Sequence, residues 1–199
     1  MISVVIPLYN KETSIRQSLM SVLSQSYQDF EVVIVDDGST DGSVAKVEEI
    51  QDSRVRLIRQ ENGGPGKARN TGVMNANGEW VLFLDADDEL LPEALNVFKE
   101  LLTEHKKANV IDCVQTVQLG KKTWNEPHDL VGYSKNPYKD WYFHKIGPGS
   151  NHSIFKRELL MSFPYDVTLR RYEDAELLMR LLGAAVLYSS MQPVSLVHT

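Results

Sequence analysis

Thiol chemistry is almost missing from this chain: Cys113 is the only cysteine among 199 residues. One thiol can build neither an intrachain disulfide nor a zinc–thiolate centre, so a reducing compartment is the simpler setting. Cys113 itself sits in the apolar run "NVIDCVQTV", a context for packing rather than nucleophilic attack. Positive charge is short as well. The chain carries 21 basic against 27 acidic residues, a net charge of −6, which argues against a nucleic-acid binder relying on a basic surface. Any anionic ligand must then meet local cations or a metal ion. No stretch approaches the roughly 20 apolar residues of a membrane span. Met1 runs straight into "ISVVIPLY", with no basic segment or cleavage site before it. These absences predict a cytoplasmic protein, at most peripheral at the inner face of the membrane. The G-x-G-x-x-G fingerprint of dinucleotide-binding domains is missing too.

What is present is ordinary globular material: 42% hydrophobic and 24% charged residues leave no case for wholesale disorder. The first half alternates two periods. "ISVVIP", "FEVVIVD", "RVRLIR" and "EWVLFLD" read as strands. Between them, Ile15, Leu19, Val22 and Leu23 mark one face of a helix. Residues 41–51 form a second helix with Val44, Val47 and Ile50 inward, and "ENGGPGKARNTG" opens a third that runs to about Ala76. Strands apolar on both faces and separated by helices predict a mostly parallel sheet covered on both sides, which binds ligands at its strands' carboxyl ends. Pro92 suits the first turn of a further helix that buries Leu95, Phe98, Leu101 and Leu102. Beyond it, "NVIDCVQTVQL" reads as a strand and residues 120–150 as loops with one short helix. "NHSIFKREL" reads as a strand passing into a helix, and "YEDAELLMRLLG" as a helix ending at Gly183.

Polar clusters follow three of the strands: "YNKE", "DDGSTDG" and "DADD". In a doubly wound sheet they become neighbours. "DDGSTDG" imitates a calcium loop, but a strand rather than a helix enters it, which favours a sharp strand-to-helix turn with Asp36 and Asp37 at the sheet's rim. A carboxylate there can accept a hydrogen bond from a nucleobase N–H. "GGPGKARN" fails as a P-loop, because Glu61 and Ala68 stand where glycine and Ser/Thr are needed. It reads either as a helix-starting turn or as a source of cations, Lys67 and Arg69, for an anionic ligand. In an extended "DADD", Asp85 and Asp87 point the same way and form half a hard-cation site that a diphosphate and water can complete. Asp88 and Glu89 also read as a capping cluster for the helix at Pro92. Glu173 and Asp174 open a helix, where they serve either the macrodipole or as a carboxylate ready to take a proton.

Taken together, "ISVVIPLYNKE", "VVIVDDGSTDGS", "GGPGKARNTG", "WVLFLDADDELLP" and "RRYEDAELLMRL" resemble the inverting family 2 glycosyltransferases, across nearly the whole chain and in the family's order. The resemblance implies an α/β GT-A fold: a Rossmann-like, mostly parallel central sheet with helices on both faces and a smaller irregular acceptor-side region. Residues 1–110 would be the nucleotide-sugar-binding half and 111–199 the acceptor-binding half of one catalytic domain. It implies inverting transfer of a hexosyl or N-acetylhexosaminyl group from a nucleotide-diphosphate sugar, typically a UDP-sugar. The acceptor would be a glycan, lipid-linked or other hydroxyl, in surface-polysaccharide or glycan biosynthesis.

Residue by residue, the resemblance implies that Pro7 and Tyr9 line the base and Asp37 hydrogen-bonds it. Lys67 and Arg69 would flank the nucleotide, with Glu12 and Ala86 among the substrate-binding residues. Asp85 would lie near ribose and metal, Asp87 would hold Mn²⁺ or Mg²⁺, and His198 is a further candidate ligand. Asp174 would be the general base, with Glu173 beside it. Two related readings compete: a sugar nucleotidyltransferase, disfavoured by "LYNKE" where its glycine-rich signature belongs, and a non-catalytic nucleotide-sugar-binding protein. The Q-x-x-R-W motif of processive synthases is absent, which favours single addition. The stop at "SLVHT", directly after a strand, predicts C-terminal truncation. Trp124, Trp141, Tyr142, His144, Asn151 and His152 either meet an acceptor or close the core.

Overall fold

The computed structural model describes residues 1–125, 129–142, 149–169 and 172–198. Four apolar, mostly β-branched segments form the parallel part of one sheet: Ile2–Leu8 (β1), Phe30–Asp36 (β2), Val55–Arg59 (β3) and Trp80–Phe83 (β4), in the order β3-β2-β1-β4. Alternation along β1 assigns its side chains. Ile2, Val4, Ile6 and Leu8 enter one hydrophobic cluster and Val5 the other.

Helices cover both faces. Ile15–Leu23 (α1), Ser43–Glu48 (α2) and Ala94–Glu104 (α4) contribute Ile15, Leu19, Val22, Val47, Leu95 and Phe98 to the first cluster. The second cluster takes Ala68 and Val73 of Pro65–Asn75 (α3), Leu159 and Leu160 of Arg157–Ser162 (α6), and Leu177, Leu178 and Leu181 of Glu173–Leu181 (α7). Helix α3 lies close on β1: a Cβ at Gly72 would stand 2.2 Å from Val5 Cγ1, so only glycine permits that approach. Cys113 is fully buried, and burial pushes its thiol pKa up, away from nucleophilic use.

The sheet becomes mixed in the second half of the chain, whose strand directions the sequence left open. Ser153–Lys156 (β9) runs antiparallel between β4 and Val110–Leu119 (β6), and Leu187–His198 (β10) returns parallel to β6. Glu89–Leu90 (β5) and Gly132–Tyr133 (β8) pair antiparallel with β10. Part of the expected loop region is ordered: Lys122–Asn125 (β7) folds back on β6, and Pro137–Tyr142 (α5) supplies the short helix. Two boundaries differ from expectation. Pro92 lies in the turn before α4 rather than in its first turn, because Glu93 adopts φ +67 and the helix begins at Ala94. Strand β4 stops at Phe83, so Asp85–Asp88 is a turn, closed by Asp88 N–H to Asp85 C=O at 3.0 Å, and not an extended segment. Among the described residues no helix is long and apolar enough to cross a membrane.

Candidate functional site

The carboxyl ends of β1, β2 and β4 open into a cleft of ≈ 460 Å³. Pro7, Tyr9 and Lys11 come from the end of β1, Asp37 from β2 and Arg69 from α3. The turn after β4 supplies Asp85, Ala86 and Asp87, and α7 supplies Glu173 and Asp174. Residues up to 167 positions apart in sequence therefore share one wall-to-wall space, as the strand-end argument requires.

Arg69 is the electrostatic centre. Its side chain is 5% exposed, donates from Nη2 to Asp85 Oδ1 at 2.9 Å, and brings Nη1 within 3.4 Å of Asp174 and 3.5 Å of Glu173. The guanidinium lies over the Tyr165 ring, with Cζ 5.5 Å from its centroid. Burial works against this charge, but Tyr165, Asp85 and Asp174 more than offset it and raise the Arg69 pKa above its ordinary value. Glu173 and Asp174 make no cap hydrogen bond to the start of α7; they turn toward Arg69 instead. Favourable placement at a helix N-terminus persists, but it does not set their direction.

Asp37 has a different set of partners from the one its position suggested. Its carboxylate accepts from Gln60 Nε2 at 2.7 Å and from the backbone N–H groups of Gly63 (2.9 Å) and Gly64 (2.8 Å). Three of roughly four acceptor positions are thereby filled by the protein itself, and one is left toward the cleft. The same bonds explain the glycine-rich turn. Its N–H groups are satisfied by a carboxylate rather than offered to a phosphate, and Gly64 adopts φ +89, ψ 166, a region open essentially to glycine.

The "DADD" turn is held by partners on every side. Lys11 Nζ pairs with Asp87 Oδ2 at 2.5 Å. Asn151, in the left-handed region at φ +69, accepts from Asp85 N–H at 2.7 Å and donates to Asp88 Oδ2 at 2.7 Å. Asp88 also accepts from His198 N–H at 3.0 Å, and burial, aided by Asp85 and Asp87, pushes its carboxyl up to about 6. Glu89 accepts from Gln17 at 2.7 Å and lies 2.7 Å from His198 Nε2. Asp88 and Glu89 are thus bound into the sheet edge and do not cap α4, whose N-terminus has no side-chain cap.

Glu12, Lys67 and His198 do not line the main cleft. Glu12 accepts from Gly42 N–H at 3.1 Å and ties the turn after β1 to the one after β2. Lys67 folds along Gly63 and donates to the Glu61 carbonyl at 3.3 Å. His198 lines a neighbouring hollow of ≈ 200 Å³ together with Asp87 and Glu89. Of the loop candidates for an acceptor, Asn151 and His152 are buried, Trp141 packs partly on the core, and Trp124 is 45% exposed on β7. The side chain of Tyr142 and all of His144 lie outside the described residues.

Sequence reasoning missed Lys11, the cation that faces Asp87, although it stands inside the quoted "YNKE". It also missed Tyr165 and Asn70. The Asn70 amide donates to the Tyr165 carbonyl (2.9 Å) and accepts from its N–H (2.8 Å), fixing a loop tyrosine against α3. No local pattern announces such a long-range pair.

Two cations face five carboxylates across the cleft. Among the described residues, no group of three His, Cys, Asp or Glu is arranged to hold an ion. Asp85 Oδ2 and Asp87 Oδ1 nevertheless accept no hydrogen bond among those residues, and carboxylate oxygens suit Mg²⁺ or Mn²⁺. The donor set fits a hard cation whose remaining ligands come from an anionic substrate and water.

Comparison with known proteins bears on the family and the fold. The family model described as "Glycosyl transferase family 2" matches residues 3–163. The chain is 38% identical over 107 residues to the glycosyltransferase GlyA of Streptococcus pneumoniae, which is 53% of this chain and 15% of GlyA. It is 42% identical over 98 residues to an uncharacterized glycosyltransferase of Haemophilus influenzae, which is 48% of this chain and 39% of that protein. Crystal structures of S. aureus TarS 1–349 superpose with a TM-score of 0.84 at 26% identity. With UDP-GlcNAc bound, the match covers 100% of this chain and 58% of TarS; a further structure holds UDP. The chain thus spans only part of the length of each of these relatives.

Proposed function

This chain belongs to glycosyl transferase family 2, and on that premise we propose that it transfers a hexosyl or N-acetylhexosaminyl group, with inversion, from a UDP-sugar to an acceptor hydroxyl. The acceptor is a glycan, a lipid-linked sugar or another hydroxyl compound of surface-polysaccharide or glycan assembly. One observation carries the reading: Asp37, Asp85, Asp87 and Asp174 line the same cleft at the carboxyl edge of the sheet. The UDP and UDP-GlcNAc bound by TarS support a uridine donor.

The base lies between Pro7 and Tyr9, with the remaining acceptor position of Asp37 directed at its N–H. Arg69 holds Asp85 at the donor side and Asp174 at the acceptor side through opposite ends of one guanidinium. Asp174, 41% exposed at its side chain, takes the acceptor's proton as the hydroxyl oxygen attacks the anomeric carbon. General-base assistance of this kind contributes about 10²–10⁴-fold. Attack from the face opposite the diphosphate inverts the anomeric configuration. Mn²⁺ or Mg²⁺ held by Asp85 and Asp87 would supply Lewis-acid stabilisation of the departing diphosphate, worth several kcal/mol. The acidic lining supports a role for such a cation, because Lys11 and Arg69 are already paired with carboxylates.

The test is release of nucleoside diphosphate from a panel of nucleotide sugars, with Mn²⁺ and then with excess EDTA. Turnover with a UDP-sugar that stops on chelation is expected. Turnover that continues unchanged in EDTA removes the role given to Asp87, and no turnover with any donor in the panel removes the activity.

A further inference from the structure

Tyr165 is 6% exposed, yet its hydroxyl is not idle: it donates to Asp174 Oδ1 at 2.9 Å. Packing alone does not need that oxygen. The ring is held edge-on to Phe83 at 5.8 Å between centroids, and its Cβ lies against Gly66, where an added methyl would come within 3.2 Å. The backbone on both sides of the ring is clamped by the Asn70 amide. Phenylalanine would satisfy every one of these contacts. The hydroxyl therefore has one job visible in the fold, and it concerns Asp174.

We propose that Tyr165 is a positioning residue, whose hydroxyl occupies Oδ1 of Asp174 and leaves Oδ2 as the oxygen that meets the acceptor. This deepens the reading of Asp174 as the proton acceptor and rests on it. Oδ1 accepts the Tyr165 hydroxyl bond and lies at ion-pair distance, 3.4 Å, from Arg69 Nη1, while Oδ2 accepts no hydrogen bond among the described residues. The hydroxyl bond thus distinguishes the two carboxylate oxygens. Among the described residues, the charges nearest Asp174 are Glu173 on its own helix and Asp85, reached through Arg69; Lys11 and Asp87 line the same cleft. Burial raises the Tyr165 pKa well above its ordinary value, so the phenol keeps the proton it donates.

The experiment compares wild type with Tyr165→Phe, which keeps the ring under Arg69 and removes only the donor. A hydrogen bond to an ionised group favours its charged form by an amount equivalent to about one pKa unit or more. The Asp174 carboxyl, followed by ¹³C NMR and assigned with Asp174→Asn, is expected to take up its proton at higher pH in Tyr165→Phe than in the wild type. The acid limb of kcat for UDP-sugar turnover should move up with it, so that kcat at the foot of the limb falls about tenfold. The donor KM should stay unchanged. In the wild type, a deuterium isotope shift at the Asp174 carboxyl carbon reads the Tyr165 hydroxyl bond without any substitution. An absent isotope shift, an unmoved titration midpoint, or a loss that is equal at every pH overturns the assignment. An inactive Asp174→Asn beside a Tyr165→Phe identical to wild type removes the role of Tyr165 alone. An active Asp174→Asn removes the general base, and this role with it.

Discussion

Replacing Arg69 by methionine is the most demanding test of the site's electrostatics. Methionine fills much of the space of the stem but leaves Asp85, Glu173 and Asp174 facing one another without their shared cation. The lost bond to Asp85 is charge-assisted, at 2.9 Å, and such bonds contribute about 1.5–3 kcal/mol. The group is 5% exposed, so little solvent is available to replace it. Removing one partner of a buried ion cluster costs about 3–5 kcal/mol. That is about a fifth or more of the typical 5–15 kcal/mol stability of a domain. Asp85→Asn alone should cost less, about 1–2 kcal/mol, because Arg69 keeps Asp174 and Glu173. The double variant should be more stable than the sum of the two losses predicts, with a coupling of about 1–3 kcal/mol. Urea unfolding at pH 7 of the four proteins measures all three quantities. An Arg69→Met loss below about 1 kcal/mol, or strict additivity of the two substitutions, would refute the account of Arg69 as a shared buried counter-ion.

Two further outcomes follow from the geometry. Gly64→Ala places a side chain at φ +89 and should cost about 1–3 kcal/mol in the same unfolding assay, loosening the turn whose N–H groups hold Asp37. For Asp88 the sign of the pH dependence is fixed by the direction of its shift. Burial raises its folded pKa to about 6, above the unfolded value, so between those two values the folded state binds more protons. Its contribution to stability is therefore greatest at low pH, falls as pH rises through about 6, and is flat above that. Asp88→Asn should remove this descending component from a stability–pH curve, and an unchanged slope between pH 4 and 6 would contradict it.

Much of this was readable from the chain, for physical reasons that differ by element. The helix face of Ile15, Leu19 and Val22 and the doubly apolar β1 and β2 are written in periodicity, and periodicity survives folding. The convergence of Asp37 with Asp85 and Asp87 followed from topology, because strand ends in such a sheet share an edge; Asp174, at the start of α7, came only from the family resemblance. Partners were another matter. Asp37 accepts from Gln60 and two glycine N–H groups, and Asp85 is taken by Arg69; both pairings depend on rotamers and loop paths that no spacing encodes. Lys67 looked like the cation because it sits in a glycine-rich motif, whereas Lys11 faces the cleft. Pro92 failed as a helix start because Glu93 takes the left-handed conformation first. Asn151 looked like an acceptor contact but is a buried bracket between Asp85 and Asp88.

The antiparallel seam between β4 and β9 has a mechanical consequence. Trp80, Val81 and Leu82 pair with Lys156, Phe155 and Ile154, and β9 continues the same sheet into β6. The first and second halves of the chain are thus stitched by backbone pairing through the middle of one sheet, so that the cleft floor at the end of β4 is braced from both sides.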